Sequence, residues 1–449
     1  MKLLLLSANT TQYPYPVYPL GLDFIVGALV PRHEVGMADM NVVGGLDRLE
    51  VAIRRFDPDV IGLSIRNIDN VDTLATKSFV QGHQRIIRAI RGCTKAPVVI
   101  GGSGFSIFPG ELMALLDADF GVVGEGEFLG PLLDALEKGT AVADLPGIIG
   151  RGEGFRGAVP WTGAVRRQFR PVDAQLRFYL ERGGILNLQT KRGCPYHCIY
   201  CTYPHIEGRR LRLNAPDEVA KEARELQEMG ARYLFIADSV FNADYVHSLA
   251  VAQAFRRQGL SIPWGAFFAP TRPPEGYYNA LAEAGLTHVE FGTETFCNGQ
   301  LKRYGKPFDM EDVLLAQRSA GQAGVHIAHY LLLGGPGEDA QTLEETLNHM
   351  EAIEKAVFFV FCGIRIYPHT RLYDIAREEG QIAPDQDLLA PVFYRSKGIG
   401  TEEIIARIEK RARGRRNWVY GDGSEKNERV VVRLHGRGHA GPLWELLLQ

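Results

Sequence analysis

The chain has 449 residues, 45% of them hydrophobic and 23% charged, with a formal net charge of −3 and a pI near 6.5. That length suffices for two ordinary domains and a small extra one, each with its own core. The near-neutral charge offers no electrostatic platform for nucleic acid, and no apolar run approaches the ~18 residues of a membrane helix. The opening Met1-Lys-Leu-Leu-Leu-Leu-Ser7 lacks the long apolar core and cleavage site of a signal peptide. It reads as a first β-strand, and with the unpaired, clustered cysteines it predicts a cytoplasmic protein.

In residues 1–145, short apolar strands at 3–6, 34–38, 60–64, 97–100 and 120–123 alternate with helix-length segments. This rhythm predicts an α/β domain with a Rossmann-like, doubly wound, five-stranded parallel sheet. Ligands of such sheets sit beyond the carboxyl ends of the strands, so the loops there carry the information. The loop at 10–19, rich in Tyr and Pro, cannot be helical and lies on that side. Asp39-Met-Asn-Val-Val-Gly44 follows the second strand, Ser64-Ile-Arg-Asn-Ile-Asp-Asn70 the third and Gly101-Gly-Ser-Gly104 the fourth. Alone, a glycine cluster fits a tight turn or any phosphate cradle.

Taken in order, these loops resemble a cobalamin-binding domain, whose usual pattern is Asp-x-His-x-x-Gly, Ser-x-Leu and Gly-Gly. The resemblance implies that Asn41, Ser64, Arg66, Gly101, Gly102 and Ser103 surround cobalamin. Gly124, Glu125 and Glu127, from Gly124-Glu-Gly-Glu127 after the fifth strand, join them. Asn41 stands where the family places an axial histidine, and an amide is a poor cobalt ligand beside imidazole. No protein nitrogen is therefore expected on cobalt. Arg66 either faces the lower side of the corrin or forms an ordinary salt bridge, and the 10–19 loop either walls the ligand or simply packs.

Residues 146–184 read as a glycine- and arginine-rich linker. Residues 185–385 again alternate, with strands at 185–189, 233–237, 263–268, 288–291, 326–333 and 358–366, a partial (β/α)6 barrel. The loop after its first strand, Lys191-Arg-Gly-Cys-Pro-Tyr-His-Cys-Ile-Tyr-Cys201, carries half of the six cysteines at C-x3-C-x2-C spacing. Three such thiolates can each hold one iron of a [4Fe-4S] cluster and leave the fourth open. Zinc would want a fourth donor, and neither His197 nor His205 completes a familiar zinc pattern. Merely buried cysteines are the remaining alternative.

Cys194, Cys198 and Cys201, with Tyr200 before the last, resemble the signature loop of the radical S-adenosylmethionine (SAM) enzymes. In that family the open iron chelates SAM and an electron from the cluster cleaves it to a 5′-deoxyadenosyl radical. The resemblance implies that Tyr200 lies against adenine, Asp238 meets the SAM amino group, Glu294 holds the ribose, and Gly334 and Gly335 approach the adenosyl moiety. Asp238 and Glu294 have a bland alternative as helix N-caps. Cys297, Cys362, His326 and His329 read as core residues. No catalytic residue is singled out.

Residues 386–449, with a helical segment at 402–413, read as a cap over the barrel mouth, and the basic run 410–416 as a solvated helix end. In domain order, the chain resembles the cobalamin-dependent radical SAM family. That implies methyl transfer from SAM through methylcobalamin to an unactivated carbon or phosphorus of a small molecule or peptide. Partners would be that substrate and an electron donor such as flavodoxin or ferredoxin, with no nucleic acid and no membrane. The rivals are a cyclase, ring-contraction or rearrangement enzyme on the same cofactors, a non-radical cobalamin methyltransferase, and a non-enzymatic cobalamin sensor.

Overall fold

The protein is described from a computed structural model over residues 1–154, 157–163, 167–169, 173–421 and 425–448. The segment expected as a linker lies partly outside these residues. The chain divides into two compact units: 1–70 with 77–178 and 205–208, and 71–76 with 179–204 and 209–449.

The first unit holds a sheet of β1 (Lys2–Ser7), β2 (Glu34–Asp39), β3 (Val60–Ser64), β4 (Val98–Gly101), β5 (Phe120–Val122) and β6 (Ile148–Gly150). Their order is β2-β1-β3-β4-β5-β6, and all pairs are parallel except β5 with β6. Leu3, Leu4, Leu5 and Leu6 are all buried, as a strand sealed on both faces requires. Parallel neighbours need crossovers, and the helices Leu20–Leu29, Leu46–Phe56, Val80–Cys93 and Pro109–Leu116 provide them, while Leu129–Lys138 joins β5 to the antiparallel β6. Val26, Leu29, Leu129, Leu132 and Leu133 pack against Leu3, Val60 and Val122 to form the core. The sixth, antiparallel strand was not expected. Its Ile-Ile-Gly is too short to show a period.

The second unit contains β7 (Ile185–Leu188), the small ladder of β8 (Lys191–Arg192) with β9 (Arg212–Leu213), β10 (Tyr233–Ile236), β11 (Trp264–Phe268), β12 (Leu286–Glu294), β13 (His326–Leu333) and β14 (Ala356–Cys362). The antiparallel pair β15 (Ile364–Arg365) and β16 (Phe393–Tyr394) and a last strand, β17 (Trp418–Tyr420), follow. Seven strands form one parallel sheet, β17-β14-β13-β12-β11-β10-β7, whose two edges do not pair, so the barrel is open. Six of them are the expected βα repeats; β17 is the addition. Side-chain capping boxes start two covering helices, Asp309 with Asp312 before Met310–Gln322 and Asp339 with Thr342 before Ala340–Ala352.

Faces alternate along these strands. His329 is buried toward the helices, with Thr293 Oγ1 at 2.7 Å and Gln317 Oε1 at 2.9 Å, and burial lowers its pKa to about 3. His326, three residues earlier and on the opposite face, is exposed and tilts onto His288, so of the two histidines expected in the core only His329 lies there. On the inner face Trp444 packs with Ala328 and Val357, and its Nε1 donates to Glu290 Oε1 at 3.0 Å. These partners lie in the amino-terminal halves of β12, β13 and β14. Within residues 386–449, β17 extends the sheet and the Trp444 segment covers the inner face near the start of the strands, while Ser396, whose Oγ donates to Glu338 O, lies past the carboxyl end of β13, the side on which a cap had been expected. The basic run is engaged as well: Arg411 pairs with Glu344 and Glu351.

Burial pushes the Glu290 carboxyl up from its ordinary 4.5 to about 7, against donation from Trp444 and Tyr330. The folded chain thus holds this proton more tightly than the unfolded chain. The resulting stability is complete below the unfolded value and is lost as pH rises through 7. Relative to Glu290→Gln, the wild-type chain should lose up to ~3 kcal/mol between about pH 5 and pH 8. Urea midpoints at the two pH values test this, and identical pH dependence in both proteins would refute it.

Candidate cofactor-binding sites

In the first unit, strand register brings the loop-bearing residues to one edge. Ser7 pairs with Asp39 on one side and Ser64 on the other, Ser64 pairs with Gly101, and Gly101 with Val122. The strand order reverses between β1 and β3, the switch point at which open α/β sheets take ligands. Asp39 caps the turn Met40–Val43 by accepting from Asn41 N at 2.8 Å. Asn41 is buried; its Oδ1 accepts from Gln12 Nε2 at 3.2 Å, while its Nδ2 has no partner among the described residues. Gln12 belongs to the 10–19 loop, whose Tyr18 donates to Asp23 at 2.9 Å, beside the buried Asp23–Arg167 ion pair.

The loops after β3 and β4 are pressed together. Gly102 has φ +101°, and a Cβ there would stand 2.6 Å from Ile65 O, so no side chain fits. Ser103 Oγ donates to Arg66 O at 2.9 Å. The Arg66 side chain is exposed, and no ion pair or hydrogen bond to another described residue holds its guanidinium. The ordinary salt bridge is therefore not formed. Gly124 N donates to Ser106 Oγ at 2.8 Å, and Glu125, buried, accepts from Trp161 N at 3.0 Å. Glu127 is buried in the 3-10 turn Gly126–Phe128 that leads into Leu129–Lys138.

In the second unit, Cys194, Cys198 and Cys201 lie on the loop after β7, all reduced, with Cys194 buried and the others half-buried. Burial raises the Cys194 pKa and pushes the Cys201 thiol up to about 12. Among the described residues no three His, Cys, Asp or Glu side chains gather closely enough to hold a single metal ion. The loop is held at its root by Asp238. One carboxylate oxygen accepts from Thr190 N at 2.7 Å and Lys191 N at 3.3 Å, the other from Thr190 Oγ1 at 2.5 Å and Lys191 Nζ at 2.7 Å. Lys191 Nζ also donates to Phe241 O at 2.7 Å. A carboxylate has about four acceptor positions. Asp238, expected at the SAM amino group, has therefore no acceptor position left, nor does it cap a helix.

Tyr200 and Glu294 are brought together, with the Tyr200 hydroxyl donating to Glu294 Oε1 at 2.6 Å. Lys306, which the sequence did not single out, meets both. Its Nζ is 2.9 Å from Glu294 Oε1, 3.0 Å from Tyr200 Oη and 3.8 Å from Cys198 Sγ. Burial opposes its charge, but Glu294 and the thiols of Cys198 and Cys201 outweigh that and hold its pKa above the usual value. Gly334 N donates to Glu338 Oε2 at 2.7 Å, and burial pushes the Glu338 carboxyl up to about 7 against donors that include Gly334 and Gly335. Tyr304 donates to Leu332 O at 3.0 Å and lies edge-on to Tyr200. Cys297 and Cys362 are buried, as expected.

The B12 binding domain model matches residues 6–130 and the radical SAM superfamily model residues 188–350. Tryptophan 2-C-methyltransferase of Streptomyces laurentii is 25% identical, over 81% of this chain and 73% of its own length. Cytidylyl-2-hydroxyethylphosphonate methyltransferase of Streptomyces wedmorensis is 25% identical, over 93% and 91%. The fold is shared with the radical SAM methyltransferase TsrM of Kitasatospora setae, solved with tryptophan and a SAM analogue, at a TM-score of 0.88 and 23% identity, covering 100% of this chain and 97% of that one. With a B12-binding region followed by a radical SAM region over one such fold, the chain belongs to the cobalamin-dependent radical SAM enzymes, whose cofactors are cobalamin, a [4Fe-4S] cluster and SAM.

Proposed function

We propose that the chain is a methyltransferase in which Cys194, Cys198 and Cys201 hold the cluster. Tyr200, Glu294, Gly334 and Gly335 bind SAM in this reading, and Asn41, Ser64, Arg66, Gly101, Gly102, Ser103, Gly124, Glu125 and Glu127 form the cobalamin edge. One observation carries it: Tyr200 and Glu294, two residues expected around SAM, meet each other and a cation that also touches Cys198. The donor sets fit. Three thiols share one loop, and the edge of the first sheet has a buried amide nitrogen without a partner among the described residues, as a site awaiting a polar ligand would. When bound, these groups supply a carbon-centred radical and a transferable methyl group, which no side chain can.

The protein's own part is to place and shield. Asp238 and Lys191 fix the root of the cysteine loop, and Asp238 acts there as a positioning residue. Glu294 offers a carboxylate to hydroxyl donors, with Tyr200 beside it. Glu125 and Ser103 brace the turns of the cobalamin edge through main-chain groups. The methyltransferase relatives support a small-molecule acceptor. Flavodoxin or ferredoxin would supply electrons, and the free thiols suit a reducing cytoplasm. Among the described residues no helix is long and apolar enough to cross a membrane.

A second reading, methyl transfer without an adenosyl radical, is favoured by Arg66, whose guanidinium is exposed and unpaired among the described residues and would offer a cation at the cobalamin edge. Formation of 5′-deoxyadenosine separates the two.

The reconstituted chain, given methyl-labelled SAM, hydroxocobalamin and a low-potential reductant, should yield S-adenosylhomocysteine, label in the corrin fraction and 5′-deoxyadenosine. Cys198→Ala should abolish 5′-deoxyadenosine while hydroxocobalamin still binds; undiminished 5′-deoxyadenosine in that variant would refute the assignment. Asp238→Asn should strand the Lys191 charge and cost ~3–5 kcal/mol, lowering thermal stability and iron content while SAM affinity of the loaded fraction holds. A selective loss of SAM affinity at unchanged stability would instead make Asp238 a SAM ligand.

A further inference from the structure

We propose that Lys306 is a positioning residue that balances charge at the cysteine loop, orienting Glu294 and Tyr200 for SAM and stabilising an added electron on the cluster. The proposal rests on the reading of Cys194, Cys198 and Cys201 as cluster ligands given above. Lysine is seldom fully buried without a reason, because desolvating its ammonium costs several kcal/mol. Here the side chain is only 6% exposed, and its ion-pair partner Glu294 13%. A plain ion pair would end there, but Nζ also reaches Cys198 Sγ at 3.8 Å.

The main chain, rather than a flexible arm, sets this position. Just after the helix Asn298–Arg303, Tyr304 O accepts from Ile199 N at 3.0 Å, tying the turn to the middle of the cysteine loop. Gly305 has φ +71°, and a Cβ there would stand 2.5 Å from His197 O. The rings of Tyr200 and Phe308 each lie 5.6 Å from Nζ and flank it. Glu294 depends on this support. It has φ +67°, left-handed and uncommon for a residue with a side chain, at the point where β12 slips register against β13. Its carboxylate is therefore aimed by Tyr200 and Lys306.

Three thiolates and a carboxylate repel an incoming electron, and a fixed cation beside them offsets part of that repulsion. Removing it should make the cluster harder to reduce. Loss of the ion pair should also release Glu294 and weaken SAM binding by about tenfold.

The test compares full-length reconstituted wild type, Lys306→Met and Lys306→Arg for iron per chain, cluster midpoint potential by EPR-monitored reductive titration, and SAM Kd. The expected result is a more negative potential and about tenfold weaker SAM binding in Lys306→Met, with Lys306→Arg restoring both toward wild type. Wild-type potential and affinity in Lys306→Met would overturn the proposal, as would equal impairment of the two variants, which would leave only a packing role. Should Lys306→Met hold no iron, Lys306→Arg decides: a cluster near the wild-type potential supports the charge, and loss in both overturns it. A wild-type chain that takes up no cluster removes the underlying reading, and this proposal with it.

Discussion

A parallel ladder delivers all its strands to the same side, and both units of this protein are organised by that constraint. In the first, Asp39, Ser7, Ser64, Gly101 and Val122 fall in register on adjacent strands, so loops far apart in sequence issue from a single edge. In the second, β7 leads into the cysteine loop, β12 ends on Glu294 and β13 runs into Gly334, for the same reason. Main-chain hydrogen bonding thus gathers the polar residues, and apolar packing on both faces keeps the ladder intact.

Buried charge then refines what the ladder has gathered. Asp238 with Lys191, Glu294 with Lys306 and Asp23 with Arg167 are three buried or nearly buried ion pairs, each at 2.7 to 2.9 Å. Such pairs gain little net stability, because desolvation roughly cancels attraction. What they provide is a defined geometry. Two of the three fasten the cysteine loop, one at its root and one at Cys198, and the third anchors the segment after β1 through Tyr18.

The sequence was most readable where its signals are local. The apolar run of β1, the spacing of the three cysteines and the order of the glycine loops each lie within a few residues, and each named its element. Reading failed where meaning depends on a distant partner. Lys306 lies 108 residues from Cys198, in a turn where a lysine ordinarily faces water. Asp238 follows its strand as a capping or ligand-binding carboxylate would; only the fold shows that Thr190 and Lys191 fill it. β6 and β17 span three residues each, too few for a period, and owe their existence to the sheet edges they pair with. Trp444 would pass for any apolar residue until Glu290 is seen to accept from its indole.

The filled carboxylate of Asp238 also bears on how the site is made ready. Its four donors come from the chain itself, so the root of the cysteine loop takes its shape as the barrel folds. The entropy of ordering that stretch is met by folding and is not charged to whatever the loop later receives. Capture at the thiols then calls for little rearrangement of backbone. Its tightness reflects the donor atoms more than the flexibility of the segment that carries them.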